Sequence, residues 1–359
     1  MPRTTLGRHL IGNRPATALL ERAIDGGRLS HAYLFVGPTS VGKTTLARAF
    51  AQALNCTGDA LGLDERPCGV CRACRLTAEG AYPDFRLMQV GRAEAESGHS
   101  FPRDTGGRGT SDRASRVITI EQVRALQHDA GLSPYEGRLK VYVLDAEALQ
   151  LPAANSLLKT LEEPPAQVVI ILTATDASNL LPTIVSRCQV VRLPAVPVDE
   201  LASALAERQG VDSDRARVLA HLAAGRPGFA IGAIEDPKVL EERNTRLADL
   251  VALGKRSRVE RFAYAEKLAQ ETSRDPEGGA WVLGLWIGWW RDVLLTRVGC
   301  EEMVGNYDFL DELRRRAEHL RLGQIRAALS GVEQALAQLS QNVNPRLALE
   351  VLLLDLPGG

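Results

Sequence analysis

A short apolar run at residues 33–36 leads directly into Gly37-Pro38-Thr39-Ser40-Val41-Gly42-Lys43-Thr44, and an Ala- and Leu-rich stretch at 45–54 follows. Strand, G-x-x-x-x-G-K-[ST] loop and helix in this order oblige the chain to build a sheet whose strand feeds a phosphate-binding turn into a helix N-terminus. Glycines let the backbone wrap close to phosphates, while successive N–H groups and the helix N-terminus supply partial positive charge. Lys43 then reaches the terminal phosphates and the Thr44 hydroxyl is placed for magnesium. A chance glycine-rich turn would need neither flanking element. Residues Gly37, Pro38, Thr39, Ser40, Val41, Gly42, Lys43, Thr44 and Thr45 are therefore the expected contacts of a nucleoside triphosphate, ATP or ADP with Mg2+.

Further strand-like runs at 85–89, 141–144, 168–173 and 189–193 alternate with helical stretches, which implies an α/β fold with a parallel sheet covered on both faces. The run at 140–144 ends in Asp145, the usual position of a carboxylate that holds magnesium through water. A solvated strand-end acid is the bland alternative. A hydrolytic site would place glutamate next, but here Ala146 follows, and Glu147 one position later is expected to point elsewhere. Leu157 and Leu161, one helical turn apart, read as core positions, and Pro164-Pro165 stops their helix.

Cys56, Cys68, Cys71 and Cys74 give the pattern C, a longer gap, then C-x-x-C-x-x-C. Four thiolates at tetrahedral reach suit a structural Zn2+ ion, with an iron–sulfur centre as the lesser alternative. Disulfides fit a reducing compartment poorly. Such a closed site has no open coordination position for catalysis and serves to fold a small module at about 56–74. Cys188 and Cys300 lie in apolar sequence and read as packed residues.

The 359 residues suffice for two or three domains, each with its own core. A formal charge of −1 argues against a broad basic face for nucleic acid, so any DNA contact is local or shared. The N-terminal sequence lacks the apolar core of a secretory signal, and the most apolar stretch, 280–290, is far shorter than the ~20 residues that span a bilayer. A cytoplasmic protein without a membrane partner is expected. Residues 91–116, rich in Gly, Ser, Arg and Asp, read as a mobile loop; 194–197 reads as a linker; 199–234 carries helical periodicity; and from about 244 the chain reads as helical to its end. Trp281, Trp286, Trp289 and Trp290 are anchors of a core or of a partner surface.

The phosphate loop, the C-x-x-C-x-x-C insertion after its helix, Asn155-Ser156-Leu157-Leu158-Lys159-Thr160-Leu161-Glu162-Glu163-Pro164-Pro165, Ser186-Arg187-Cys188 and Asn344-Pro345-Arg346-Leu347-Ala348-Leu349-Glu350 occur in one order. Together they resemble the bacterial sliding-clamp loader subunits of DNA polymerase III over nearly the whole chain. The resemblance implies an AAA+ nucleotide-binding domain with a zinc module over 1–193, a helical lid over 194–243 and a helical collar over 244–359. It also implies that Thr175, in Ala174-Thr175-Asp176, senses the nucleotide, although a turn cap is nearly as good a physical reading. Arg187 would be an arginine finger that reaches across a subunit interface to the γ-phosphate of a neighbour, against the bland reading of an arginine paired with a nearby acid.

Within this family the tau/gamma motor subunits carry glutamate directly after the magnesium aspartate and a lid arginine near Gly228. Here Ala146 and the turn Gly225-Arg226-Pro227-Gly228 stand instead, and the chain ends at Gly359 without a long extension. These departures resemble the delta prime branch. Its implied partners are the motor and delta subunits, with the sliding clamp and primer–template DNA reached through the assembly. An ATP-hydrolysing motor of tau/gamma type is the alternative expectation. A small-molecule P-loop kinase is a third, which leaves the Ser-Arg-Cys motif and the helical C-terminal third unexplained.

Overall fold

The computed structural model describes residues 3–58, 65–88, 117–236, 238–341 and 343–358. The 91–116 segment lies outside them, as do part of the stretch between Cys56 and Cys68 and residue 89 of the second expected strand. The chain divides into two compact units: Met1–Ala204 with Gly225–Gly228, and Leu205–Ala224 with Phe229–Gly359.

In the first unit, β1 (Arg3–Thr4) precedes α1 (Arg14–Asp25), β2 (Ala32–Val36) and α2 (Lys43–Asn55). β3 (Glu65–Arg66) pairs with β1, and α3 (Arg72–Glu79) leads to β4 (Phe85–Met88). There follow α4 (Ile120–Ala130), β5 (Lys140–Asp145), α5 (Leu151–Glu162), β6 (Val168–Ala174), the short α6 (Pro182–Val185) and β7 (Gln189–Arg192). The main sheet has the order β4-β5-β6-β2-β7, and every pairing is parallel. Parallel strands must be joined by crossovers, and helices on both faces bury both sets of alternating side chains.

That alternation is explicit. Tyr33, Phe35, Val141, Val143, Val169 and Ile171 join one core with Leu46 and Phe50 of α2 and Leu20 of α1. Leu34, Val36, Tyr142, Leu144, Ile170 and Leu172 join the other with Val123 and Leu126 of α4 and Leu157 and Leu161 of α5. Leu157 and Leu161 are thus packing residues, and Cys188 packs against this second core, where burial pushes its thiol up to about 11. A one-residue slip of β2 would send its own Tyr33, Leu34, Phe35 and Val36 to the wrong layers.

The second unit is helical. It contains the rest of α7 (Val198–Gln209), then α8 (Ser213–Ala223), most of α9 (Pro227–Glu235), α10 (Lys238–Leu253), α11 (Arg258–Arg274), α12 (Pro276–Arg297), α13 (Leu310–His319), α14 (Leu322–Ser340) and α15 (Pro345–Asp355). Sequence chemistry sets the ends: Ser257 and Glu260 form a capping box on α11, and Asn344 accepts from the Arg346 and Leu347 N–H groups ahead of Pro345. α12 runs through the centre of the unit. Trp286, Trp289 and Trp290 are buried among Leu250, Leu268, Leu313, Ile325 and Leu349, and Trp281 packs at the edge, so all four tryptophans serve this core. Among the described residues, no helix is long and apolar enough to cross a membrane.

One polar network is built into this apolar unit. Asp292, fully buried on α12, accepts from Gly305 N (3.0 Å), Asn306 N (2.7 Å) and Asn306 Nδ2 (2.7 Å). Asn306 in turn accepts from buried Arg243, whose guanidinium also grips both oxygens of Asp308 at 2.6 and 3.0 Å. The loop between α12 and α13 is therefore fixed by charge and hydrogen bonding. Asp292→Ala would strand three donors, and a loss of about 3 kcal/mol or more in urea unfolding followed by tryptophan fluorescence is expected. Arg314→Ala removes only exposed pairs, with Glu301 and Asp311, and is expected to leave the unfolding midpoint nearly unchanged in the same assay.

Candidate functional site

β2 lies inside the sheet between β6 and β7, and the phosphate loop leaves its C-terminal end, where parallel α/β sheets bind ligands. Gly37 N donates to Ala174 O (3.2 Å), and Leu193 N donates to Val36 O (2.7 Å), so both neighbours brace the loop. A Cβ on Gly37 would stand 2.0 Å from the Leu193 carbonyl oxygen, which only glycine avoids. Ser40 (φ 62°) and Gly42 (φ 106°) turn the chain through the left-handed region and aim the start of α2 back at the loop. Pro38, Thr39 and Ser40 are exposed, whereas Val41 is buried and anchors the turn.

Lys43, Thr44 and Thr45 form the first turn of α2. The Lys43 ammonium donates to Gly37 O (2.6 Å) and Pro38 O (2.9 Å), which curls it over the loop. Burial lowers the Lys43 pKa, with the nearby charges of Glu147 and Asp145 opposing that shift. The Gly225–Gly228 segment belongs to the same unit, and Gly228 N donates to Ser40 O (2.8 Å). The turn that carries Arg226 is thereby tied to the phosphate loop itself, a contact that the sequence spacing does not reveal.

Asp145 ends β5 opposite Thr173 of β6 and accepts from Glu147 N (3.2 Å). Burial raises the Asp145 pKa, with the Glu147 N–H and the Lys43 charge opposing the shift and the Glu147 charge adding to it. After Asp145 a single 3-10 turn, Ala146–Ala148, swings Glu147 toward the end of β6. Its carboxylate accepts from the Thr175 hydroxyl, from Thr175 N (3.1 Å) and from Asn179 Nδ2 (2.8 Å). Burial would raise its pKa, but the bonds from Asn179 and Thr175 outweigh burial and lower it. Glu147 stays near enough for its charge to act on Lys43 and Asp145, while its carboxylate binds Thr175, the expected sensor. Asn179 is a member of this group that sequence reasoning missed; its place four residues after Thr175 is the only available signal.

The four predicted metal ligands converge. The Sγ atoms of Cys56, Cys68, Cys71 and Cys74 all lie within 4.8 Å of one another, and Cys68 and Cys74 are 4.0 Å apart. A tetrahedral zinc site with ~2.3 Å bonds needs sulfur separations of roughly 3.8 Å, so the donor set fits the ion. Backbone N–H groups of Gly58, Cys68, Cys71 and Cys74 point at sulfur atoms at 3.3–3.5 Å, an arrangement that favours thiolate. Burial pushes the Cys56 and Cys74 thiols up, whereas at Cys71 the hydrogen bonds from Cys74 and Thr57 overcome burial and bring the thiol down to about 6. The cluster sits against α2, where Gln52 Nε2 donates to Cys74 O (2.7 Å).

Arg187 lies elsewhere. It follows α6 and precedes β7, on the edge of the sheet where the strands begin. There it lines an open cleft of about 580 Å³ with His31, Leu161, Glu162 and Ser186. His31 immediately precedes β2, and its Nε2 meets the Leu161 carbonyl (3.0 Å) at the end of α5. One guanidinium nitrogen of Arg187 donates to Thr183 O (2.8 Å) and the other pairs with Glu162 at 2.6 Å. The phosphate loop and Arg187 therefore stand at opposite ends of β2, whose five residues at ~3.3 Å each separate them by roughly 16 Å.

Residues 12–197 match the family described as "DNA polymerase III, delta subunit", and residues 237–357 match "DNA polymerase III, delta subunit, C terminal". The DNA polymerase III subunit delta' of Bacillus subtilis is 27% identical over 342 residues, covering 95% of both chains. The tau subunit of Salmonella typhimurium is 36% identical over 193 residues, 54% of this chain but only 26% of that protein. The chain thus spans about a quarter of the length of the tau relatives it matches. A solved gamma subunit-related protein of Thermotoga maritima aligns over 93% of this chain at 18% identity, with a TM-score of 0.39, too low to add to the fold described above. By the first of these matches, which covers more than half of its residues, the chain belongs to the DNA polymerase III delta-subunit family.

Proposed function

We propose that this chain is a delta prime-type subunit of a sliding-clamp loader, working in the cytoplasm during DNA replication. It holds ATP or ADP with Mg2+ at residues 37–45, hydrolyses little of it, and presents Arg187 to the nucleotide of a neighbouring tau/gamma-type motor subunit. The observation that carries the reading is the separation just described: at the opposite end of β2, Arg187 is too far from its own phosphate loop to act there, which supports a role at a neighbour's nucleotide. The match to a delta' protein over 95% of both chains supports the same branch. The division into a nucleotide-binding domain (1–193), a lid (194–243) and a collar (244–359) is part of this proposal, with the tau/gamma-type and delta subunits as ring neighbours and the clamp and primer–template DNA engaged by the whole assembly.

The chain's own catalytic apparatus is weak. Asp145 would hold Mg2+ through water, and the Thr44 hydroxyl would ligate it. The residue after Asp145 is Ala146, and Glu147 is a poor proton acceptor because three donors already occupy its carboxylate and lower its pKa. A motor of tau/gamma type would need that glutamate free. Zn2+ held by Cys56, Cys68, Cys71 and Cys74 would close the 56–74 module and replace a core that so short a segment cannot build.

Reconstituted with motor and delta subunits, Arg187→Ala is expected to lower clamp- and DNA-stimulated ATP turnover by on the order of 10³ while assembly persists; unchanged turnover sinks the reading. Lys43→Ala should weaken ATP binding to the isolated chain by about tenfold or more in calorimetry, since the loop loses the ammonium that would meet the terminal phosphates. Metal analysis of fresh protein should find one zinc per chain, absent from Cys74→Ser. Because thiolates are the ligands, zinc should be released as pH falls and they take up protons.

A further inference from the structure

The ion pair between Arg187 and Glu162 is exposed, with the two side chains 33% and 50% accessible, and such pairs contribute little to folding. Its geometry is nevertheless specific. Glu162 is the last residue of α5, and Glu163 with Pro164-Pro165 ends the helix there, which fixes where the carboxylate projects. α5 is anchored beneath it by buried Leu157 and Leu161, and the Leu161 carbonyl is held by His31 at the start of β2. On the other side of the guanidinium, the Thr183 carbonyl and Ser186 Oγ accept from the same nitrogen at 2.8 and 3.3 Å. A long side chain at the rim of an open cleft is thereby gripped from two rigid elements, α5 and α6.

We propose that Glu162 is a positioning residue for Arg187. It holds the guanidinium in place at the open cleft, so that the arginine meets a phosphate on the neighbouring subunit already ordered. An arginine has five N–H donors in a planar fork. Thr183, Ser186 and Glu162 use part of that set, which leaves donors for a phosphate oxygen without breaking the pair. A free arginine would have to surrender its rotamer entropy in the hydrolytic step, and pre-ordering removes that cost. The inference rests on the reading of Arg187 as a residue that acts on a neighbour.

The test uses the full assembly and the full-length chain. Glu162→Ala is expected to lower kcat for ATP about tenfold with KM unchanged, less than the loss from Arg187→Ala, and to have no further effect in the Arg187→Ala background. Glu162→Gln, which keeps an acceptor oxygen, should recover most of the rate; Glu163→Ala, at the adjoining carboxylate, should match wild type. In the isolated chain, Glu162→Ala should speed phenylglyoxal modification of Arg187, read by mass spectrometry, several-fold. Turnover and modification rates unchanged by Glu162→Ala, while Arg187→Ala still abolishes stimulation, overturn the positioning role and leave the function standing. Turnover unchanged by Arg187→Ala overturns both.

Discussion

The length of one buried strand governs how this molecule can act. β2 is the interior strand from which the phosphate loop leaves, and its opposite end borders the cleft of Arg187. A strand cannot shorten, and its hydrogen bonds to β6 and β7 prevent it from sliding, because either change would turn Tyr33 and Phe35 out of one core and Leu34 out of the other. The two functional ends are therefore held apart by the same packing that makes the unit stable. On the proposed reading, a nucleotide at the loop and the Arg187 cation at the far edge would belong to two different active sites, as in one member of a ring of similar subunits.

At the C-terminal edge of the sheet, the chain keeps the means to bind phosphate while its glutamate is committed elsewhere. Lys43 is curled over the loop, Asp145 sits at the end of β5, and Glu147 is tied to Thr175 and Asn179. On the proposed reading, bound nucleotide would have a structural use: its phosphates would brace the loop to which Gly228 is also bonded. In the helical unit, buried polar groups set local geometry. Asp292 and Arg243 fix the 304–308 loop through directional contacts that an apolar core cannot supply.

Much of this was legible in the sequence, for identifiable reasons. The strands, the loop and α2 announce themselves through short apolar runs and the glycines of the loop, and the four cysteines through a metal-ligand spacing. Leu157 and Leu161 read correctly as core because a one-turn spacing of leucines has a strong packing meaning. The tryptophans of α12 did not resolve, because periodicity identifies an apolar helix without saying whether it is covered. The partners of Arg187 were hidden too: Glu162 and Thr183 come from elements whose approach is set by the crossover of α5. The Gly228–Ser40 bond and the turn of Glu147 toward Asn179 likewise depend on tertiary geometry. The 91–116 reading concerns residues outside those described, so the fold does not bear on it.

The most direct measurement is the structure of the assembled loader trapped with ADP and beryllium fluoride, read at the interface that carries this chain's Arg187. The account predicts the Arg187 guanidinium within about 3 Å of the fluoride on the neighbouring subunit's nucleotide, a normal charge-assisted hydrogen bond. An Arg187 that faces solvent, or that lies far from every nucleotide while the neighbour's site is closed by other residues, would contradict it.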